Sequence, residues 1–266
     1  MEEEVLYTVD DQNVAWITLN RPQVRNALNE KMIQTLITHF RSVHEAPNLR
    51  ALVIRGNGEC FCSGADLVWM QQSAQLTDSA NYDEARLLSQ MLYSLDLIPI
   101  PTITYAHGAV IGGGIGILAC SDLVIADTQT RFSFAETRIG LVPSIISPYV
   151  LRILGLRQTK RYFLTGEVFN AQVAQRIGLI HETVESVHAD QEVEKFILNI
   201  LEGDPQAEKE VKKLLYQMKG DIPENIRLRT IELIANLRNS EEGQQGIAAF
   251  LKKTTPPWSP KKPDDD

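Results

Sequence analysis

Positive charge is scarce and scattered in this chain of 266 residues: 26 Lys and Arg stand against 34 Asp and Glu, a formal charge of -8. No lysine occurs between Leu49 and Lys160, and basic residues elsewhere come only in short runs such as Lys212-Lys213. That balance argues against nucleic acid or an anionic membrane as a main partner, since both reward clustered cations. Long apolar runs are missing as well, and none approaches the roughly 20 residues that span a bilayer. The acidic Met-Glu-Glu-Glu start has no apolar h-region, so neither a secretion signal nor a mitochondrial transit peptide is expected. Cysteine is limited to Cys60, Cys62 and Cys120, an odd number that cannot pair completely, and Cys-x-Cys alone makes a poor metal site. Reduced thiols in a cytoplasm, with no bound metal, are the expectation. His39, His44, His181 and His188 show no ligand spacing, and His107, just before Gly108, is expected to be structural.

What is abundant is glycine in one place. His107-Gly-Ala-Val-Ile-Gly-Gly-Gly-Ile-Gly-Ile-Leu-Ala-Cys-Ser-Asp122 carries three consecutive glycines at the mouth of an apolar helix. Each Gly in a helix costs roughly 1 kcal/mol against Ala, so a reason is needed. Orphan N–H groups and the positive end of the helix would point outward from Gly112 to Gly114, where partial negative charge belongs. A dinucleotide fingerprint fails because the position after Gly112 and Gly114 that should be Gly is Ile117. A phosphate loop fails because no Gly-Lys-Ser/Thr follows. A carbonyl oxygen gaining charge, such as a thioester becoming an enolate, remains. Tight packing of the helix on a strand is the alternative.

The 44% apolar and 23% charged content is that of one large globular unit, and its elements follow the residue pattern. Val5 to Val9 and Val14 to Leu19 form a hairpin. Asn29 caps a helix whose Met32, Ile33, Leu36, Ile37, Phe40 and Val43 share a face. Ala51 to Arg55 is a buried strand, leading into the small-residue loop Gly56 to Leu67. Ala80 to Ser94 is helical. Strands follow at Pro101 to Ala106, Asp122 to Ala126 and Arg131 to Glu136, and strand-helix alternation predicts stacked parallel units. Pro143 to Leu154, Arg157 to Thr165 and Ala171 to Ile177 read as helices, as do Val193 to Leu201, Pro205 to Met218, Ile222 to Leu237 and Glu241 to Leu251. The domains expected are a core over 1–202, a helical oligomerisation subdomain over 203–253 that cannot bury itself fully, and a Pro-rich, charged tail over 254–266 that frays.

Two small-residue loops, Ser63-Gly64-Ala65-Asp66 and Gly112-Gly113-Gly114, follow strands and can each offer an N–H to one oxygen. Glu136 is the acid-base candidate, because a carboxyl in an apolar setting exchanges protons near neutral pH; a surface Glu paired with Arg138 fits the same residues.

In combination, Leu19-Asn-Arg-Pro22, Arg25-Asn-Ala-Leu28, Phe61-Cys-Ser-Gly-Ala-Asp-Leu67, Gly112-Gly-Gly114, Asp122 and Phe132-Ser-Phe-Ala-Glu136 through Gly140-Leu141 resemble the crotonase superfamily of enoyl-CoA hydratases and isomerases, over roughly Val5 to Lys253. The resemblance implies an α/β spiral of ββα units, a helical C-terminal trimerisation region, an acyl-CoA substrate and a homotrimer or dimer of trimers, with no further cofactor. It also implies that the amides of Ala65 and Gly113 hold the thioester oxygen. Asp66, Leu67 and the loop Arg25, Asn26, Ala27 and Leu28 would lie along CoA, with Gly112 and Gly116 at the acyl group. Phe250 and Lys253 match positions that reach CoA from a neighbouring subunit. Where hydratases of the family carry a first glutamate this chain has Gly116, so Glu136 is left alone.

The pattern of Val142-Pro-Ser-Ile-Ile-Ser-Pro-Tyr-Val150, Arg161-Tyr-Phe-Leu-Thr-Gly166 and Arg176-Ile-Gly-Leu-Ile-His181 is most similar to bacterial 3-methylglutaconyl-CoA and carboxygeranoyl-CoA hydratases of the superfamily. That implies reversible hydration of a branched 2-enoyl-CoA, 3-methylglutaconyl-CoA, to the tertiary 3-hydroxyacyl-CoA, as in leucine breakdown. A distal carboxylate would need a cation or hydroxyl, for which Arg86, Tyr82 and Arg138 are the expected candidates. The rivals are a Δ3,Δ2-enoyl-CoA isomerase, a decarboxylase of the same enolate chemistry, and an inactive acyl-CoA-binding scaffold.

Overall fold

The computed structural model describes residues 3–73, 77–219 and 222–258. The chain opens with the hairpin β1 (Val5–Val9) and β2 (Val14–Leu19), whose turn is tied by the Asp10 carboxylate accepting the Val14 N–H at 2.9 Å. Helix α1 (Glu30–Glu45) starts where the Asn29 side chain accepts the Met32 N–H at 2.8 Å, and it buries its apolar stripe. β3 (Ala51–Gly56), α2 (Leu67–Ser73), α3 (Asp78–Asp96) and β4 (Thr102–Ala106) follow. Then come β5 (Ala109–Ile111), α4 (Gly113–Cys120), β6 (Leu123–Asp127) and β7 (Arg131–Ser133), and after a 3-10 turn over Ala135–Ile139, α5 (Ser147–Thr165). The chain ends with β8 (Phe169–Asn170), α6 (Ala171–Arg176), β9 (Glu182–Val184), α7 (Ala189–Leu201), α8 (Pro205–Lys219), α9 (Glu224–Asn239) and α10 (Glu241–Leu251).

The main sheet has the order β1-β2-β3-β4-β6-β9, parallel throughout except for the β1-β2 hairpin, and a small second sheet has the order β5-β7-β8. Period-two alternation splits the burial of the strands. Val14, Ala51, Val53, Ile103 and Ile125 pack under α7 through Val193 and Ile197, while Ala15, Leu52 and Ile54 belong to the large core on the other face. Among the described residues no helix is long and apolar enough to cross a membrane.

Three expectations need correction. The stretch Arg131 to Glu136 is not one strand: pairing with β5 stops at Ser133, and the chain coils into the 3-10 turn that carries Glu136. Pro143 to Ile146 is not helical, because α5 begins only at Ser147 with Pro148 in its first turn; the expected break between Leu154 and Arg157 is present as a kink at Gly155 (φ 67°, ψ 166°). Asp122 lies before β6 rather than in it; its carboxylate accepts from the Thr102 N–H at 2.8 Å and pairs with Lys212 at 2.5 Å, fastening α8 to the sheet. The helices from α9 onward turn back on the core: α9 packs against α3, and α10 sits on the 3-10 turn and α2. Thr254 is still held by an N–H bond to the Ala249 carbonyl at 2.8 Å, and the rest of the expected tail beyond residue 258 lies outside the described residues.

Candidate active site

Backbone pairing draws three loops together. Leu28 bridges Ala65 and Cys62 bridges Val110, both in parallel register. The Leu28 N–H donates to the Gly64 carbonyl at 2.8 Å, Asp66 N–H to the Leu28 carbonyl at 2.9 Å, and Ile111 N–H to the Cys62 carbonyl at 3.0 Å. Among the described residues this stitching leaves the N–H groups of Ala65 and Gly113 with no intramolecular acceptor. They are neighbours: a methyl group built on Gly113 would stand 4.0 Å from the Ala65 nitrogen, and one built on Gly64 3.9 Å from the Gly113 nitrogen. Gly113 also opens α4, so the partial positive charge of the helix end adds to both donors.

The consecutive glycines serve different ends. Gly112 takes φ +49°, a backbone shape open to glycine, and its N–H is spent on the Ser133 carbonyl at 3.1 Å. Gly113 keeps its amide free. Gly114 is a packing residue, since a side chain there would meet the Cys62 carbonyl at 2.8 Å. The stretch therefore combines a free amide at Gly113 with close packing at Gly114.

Glu136 faces Gly112. Its Oε1 lies 2.6 Å from where a methyl on Gly112 would be, so the carboxyl rests against the bare backbone beside the free amide. Oε2 is buried with no hydrogen-bond partner, and burial pushes the carboxyl up from the ordinary 4.5 to about 7. The turn that holds it is pinned from behind by α10, because Gly246 sits so close that a methyl there would fall 2.2 Å from the Ile139 carbonyl. A proton can therefore leave or join Glu136 near neutral pH at a fixed place.

Both amides and the carboxyl open onto one cavity of about 160 Å³. Its wall is mostly apolar, with Leu88, Ile111, Leu141, Val142, Ile146 and Ile234 among its residues. A cavity of about 150 Å³ holds a benzene-sized guest, so a short acyl group is the right scale. The cavity carries one surprise, the Arg238 side chain, only 1% exposed.

The sequence profile of the enoyl-CoA hydratase/isomerase family matches residues 10–261 of this chain. The chain belongs to that family. The crystal structure of an enoyl-CoA hydratase from Shewanella pealeana is 37% identical, superposes with a TM-score of 0.79 and spans 96% of each chain. A probable enoyl-CoA hydratase of Rhodobacter capsulatus is 32% identical over 92% of this chain and 94% of its own. A trans-2-decenoyl-[acyl-carrier-protein] isomerase of Streptococcus mutans is 27% identical over 97% of this chain and 99% of its own. The α/β crotonase fold with its helical C-terminal region is thereby shown, and with it an enzyme of the hydratase/isomerase type.

Of the residues singled out in the sequence, Ala65, Leu67, Gly112, Gly113, Glu136 and Phe250 line the cavity. Phe250 does so in its own chain, because α10 folds back over the site. Other expected residues are elsewhere. Gly116 is outside: a methyl there would meet Ile146 Cγ2 at 2.6 Å and Leu92 Cδ1 at 3.0 Å, so neighbouring side chains already fill the space a side chain would need. Tyr82 packs on the main core, and Arg86 lines a separate cavity with Arg41, His44 and Arg227. Arg138, exposed, is not in the wall either.

The loop expected along CoA is internally committed. The Asn26 side chain, fully buried, donates to the Asn57 and Cys60 carbonyls at 2.9 and 2.8 Å and accepts from the Arg21 N–H at 2.8 Å. Asp66 caps α2 by accepting the Val68 N–H at 3.0 Å and pairs with Arg21 at 3.2 Å. The Ala27 carbonyl accepts from Arg21 at 2.5 Å, and Leu28 packs against Gly113. Arg25 and Lys253, both exposed at φ +56°, lie outside the cavity wall. His107 is held by its Nε2 contact to the Gly58 carbonyl at 2.8 Å, a structural place as expected.

Arg238 is the residue that sequence patterning missed, although a signal exists. Thr230, Ile231, Ile234, Ala235 and Arg238 form the buried face of α9, so the arginine stands in an apolar stripe at helical spacing. Ending the helical pattern at Leu237 hid it.

Proposed function

We propose that the enzyme reversibly hydrates a branched 2-enoyl-CoA, 3-methylglutaconyl-CoA, to 3-hydroxy-3-methylglutaryl-CoA with Glu136 as its single proton carrier. The observation that carries this reading is the Glu136 carboxyl held against Gly112, its Oε2 buried without a hydrogen-bond partner, beside the unpaired Ala65 and Gly113 amides. In the dehydration direction Glu136 takes the C2 proton and the electron pair moves toward the thioester oxygen. The two amides hold that oxygen as it becomes an enolate, each worth roughly 3 to 4 kcal/mol of transition-state stabilisation. The enolate then collapses, restoring the thioester carbonyl and forming the C2–C3 double bond as the C3–O bond breaks, and Glu136 gives its proton to the departing hydroxyl, which leaves as water. One carboxyl serves both steps if elimination is syn. A tertiary C3 releases hydroxyl more readily than a secondary one, which suits a site without a second acid. The enzyme acts without a further cofactor, as a homotrimer or dimer of trimers, with Leu67 and Phe250 along the bound thioester. Turnover of 3-hydroxy-3-methylglutaryl-CoA by Glu136→Gln tests the assignment: loss of activity is expected, and near wild-type rates would sink it.

A second reading is favoured by one observation, the filled space at Gly116. A lone carboxyl is enough to move a proton between C2 and C4, the work of a Δ3,Δ2-enoyl-CoA isomerase, and the Streptococcus mutans relative is an isomerase. Side-by-side assays of 3-enoyl and 3-methylglutaconyl thioesters separate the two.

A further inference from the structure

A guanidinium buried in an apolar wall demands a reason, since an unpaired charge taken out of water is strongly disfavoured. Arg238 is 1% exposed on α9 and lines the same cavity as Glu136. Its protein partners are few. One nitrogen donates to Asn81 Oδ1 at 3.4 Å, a long bond, and the group lies 5.6 Å over the Trp69 ring. Its Nε is buried and has no hydrogen-bond partner. Among the described residues no carboxylate comes within ion-pair distance, though Glu84 on α3 contributes a favourable field. Asn81 is itself committed to the Ala235 carbonyl at 2.7 Å, so it holds the arginine in place rather than answering its charge. Burial pulls Arg238 down to about 10, which leaves it protonated at neutral pH.

From the geometry we infer that Arg238 is a specificity-determining residue that receives an anionic group, a carboxylate at the far end of the acyl chain. An ω-carboxylate would supply the missing acceptor for a planar guanidinium with donors to spare. One wall then carries both a reactive group, Glu136 with the two amides, and an anion-binding group, Arg238, among apolar residues that suit the carbons of an acyl chain. This inference rests on the acyl-thioester reading of the cavity but not on whether the reaction is hydration or isomerisation.

Binding of two saturated thioesters of equal chain length, glutaryl-CoA and pentanoyl-CoA, tests it without turnover. Calorimetric titration of the full-length wild type should show glutaryl-CoA bound at least tenfold more tightly. In Arg238→Met the preference should disappear through weaker glutaryl-CoA binding alone, with pentanoyl-CoA within about threefold of wild type. Arg238→Lys should keep part of the preference. Equal binding of both thioesters by the wild type would overturn the inference, as would equal weakening of both in Arg238→Met; the wild-type comparison decides even if that variant fails to fold. A glutaryl preference without hydration of any 2-enoyl-CoA would defeat the hydratase reading alone. Hydration with no such preference would defeat this inference alone.

Discussion

Replacing Glu136 by Gln should stabilise the protein, and by an amount that depends on pH. The carboxyl sits at about 7 in the folded chain against 4.5 for an ordinary glutamate, because burial disfavours its charge. Between those values the folded state binds more protons than the unfolded state, so wild-type stability falls as pH rises through the window. Below the lower value both states are protonated and nothing is lost; above the upper value the full penalty of the buried charge is present. Carrying 4.5 to about 7 at 1.36 kcal/mol for each step of one gives a penalty of about 3 kcal/mol. Glutamine keeps the shape without the titration. Urea unfolding of both proteins, at one protein concentration, from about pH 4 to about pH 8, should show the stability difference growing by about 3 kcal/mol in favour of Glu136→Gln and levelling off above about pH 8. A difference that stays flat between about pH 5 and about pH 8 would mean the carboxyl titrates like an exposed one, and the proton-carrier argument would fall.

The pH dependence of kcat/KM should have one rising limb with an apparent midpoint near 7, since Glu136 begins both directions of the reaction deprotonated; a falling limb above it would reveal a second essential acid. Gly112→Ala places a methyl 2.6 Å from Glu136 Oε1 at φ +49°, so initial-rate kinetics should show kcat down by about 10²-fold or more, while circular dichroism stays native. Gly116→Glu drives a side chain into Ile146 and Leu92; thermal unfolding should register a loss of about 1 to 3 kcal/mol or more, with no gain in hydration rate.

Legibility of the chain followed the strength of each physical signal. A free amide within Gly112 to Gly114 is readable because unexplained glycine is costly, and α1 because Asn29 and a clean apolar stripe agree. The resemblance carried what spacing alone left open, namely which glycine keeps its amide and that Glu136 lies inward. Strands β5, β8 and β9 escaped notice because two or three residues are too few to display a period, and their pairing is non-local. For Asp66 and Asn26 the resemblance implies a place along CoA, while the helix cap, ion pair and loop carbonyls that their side chains engage are partners that only the fold brings near. Arg86 was a sensible cation for a distal carboxylate, but its helix turns it toward α1, while Arg238, far along the chain, reaches the cavity.

In the proposed mechanism Glu136 moves the C2 proton of a thioester whose oxygen the Ala65 and Gly113 amides hold. Deuterium uptake at C2 of an acyl-CoA in heavy water, followed by NMR, reads that step whether the enzyme hydrates or isomerises. Wild type should exchange readily, and Glu136→Gln should exchange about 10² to 10⁴ times more slowly while binding the thioester as tightly. Exchange by Glu136→Gln at close to the wild-type rate would contradict the account.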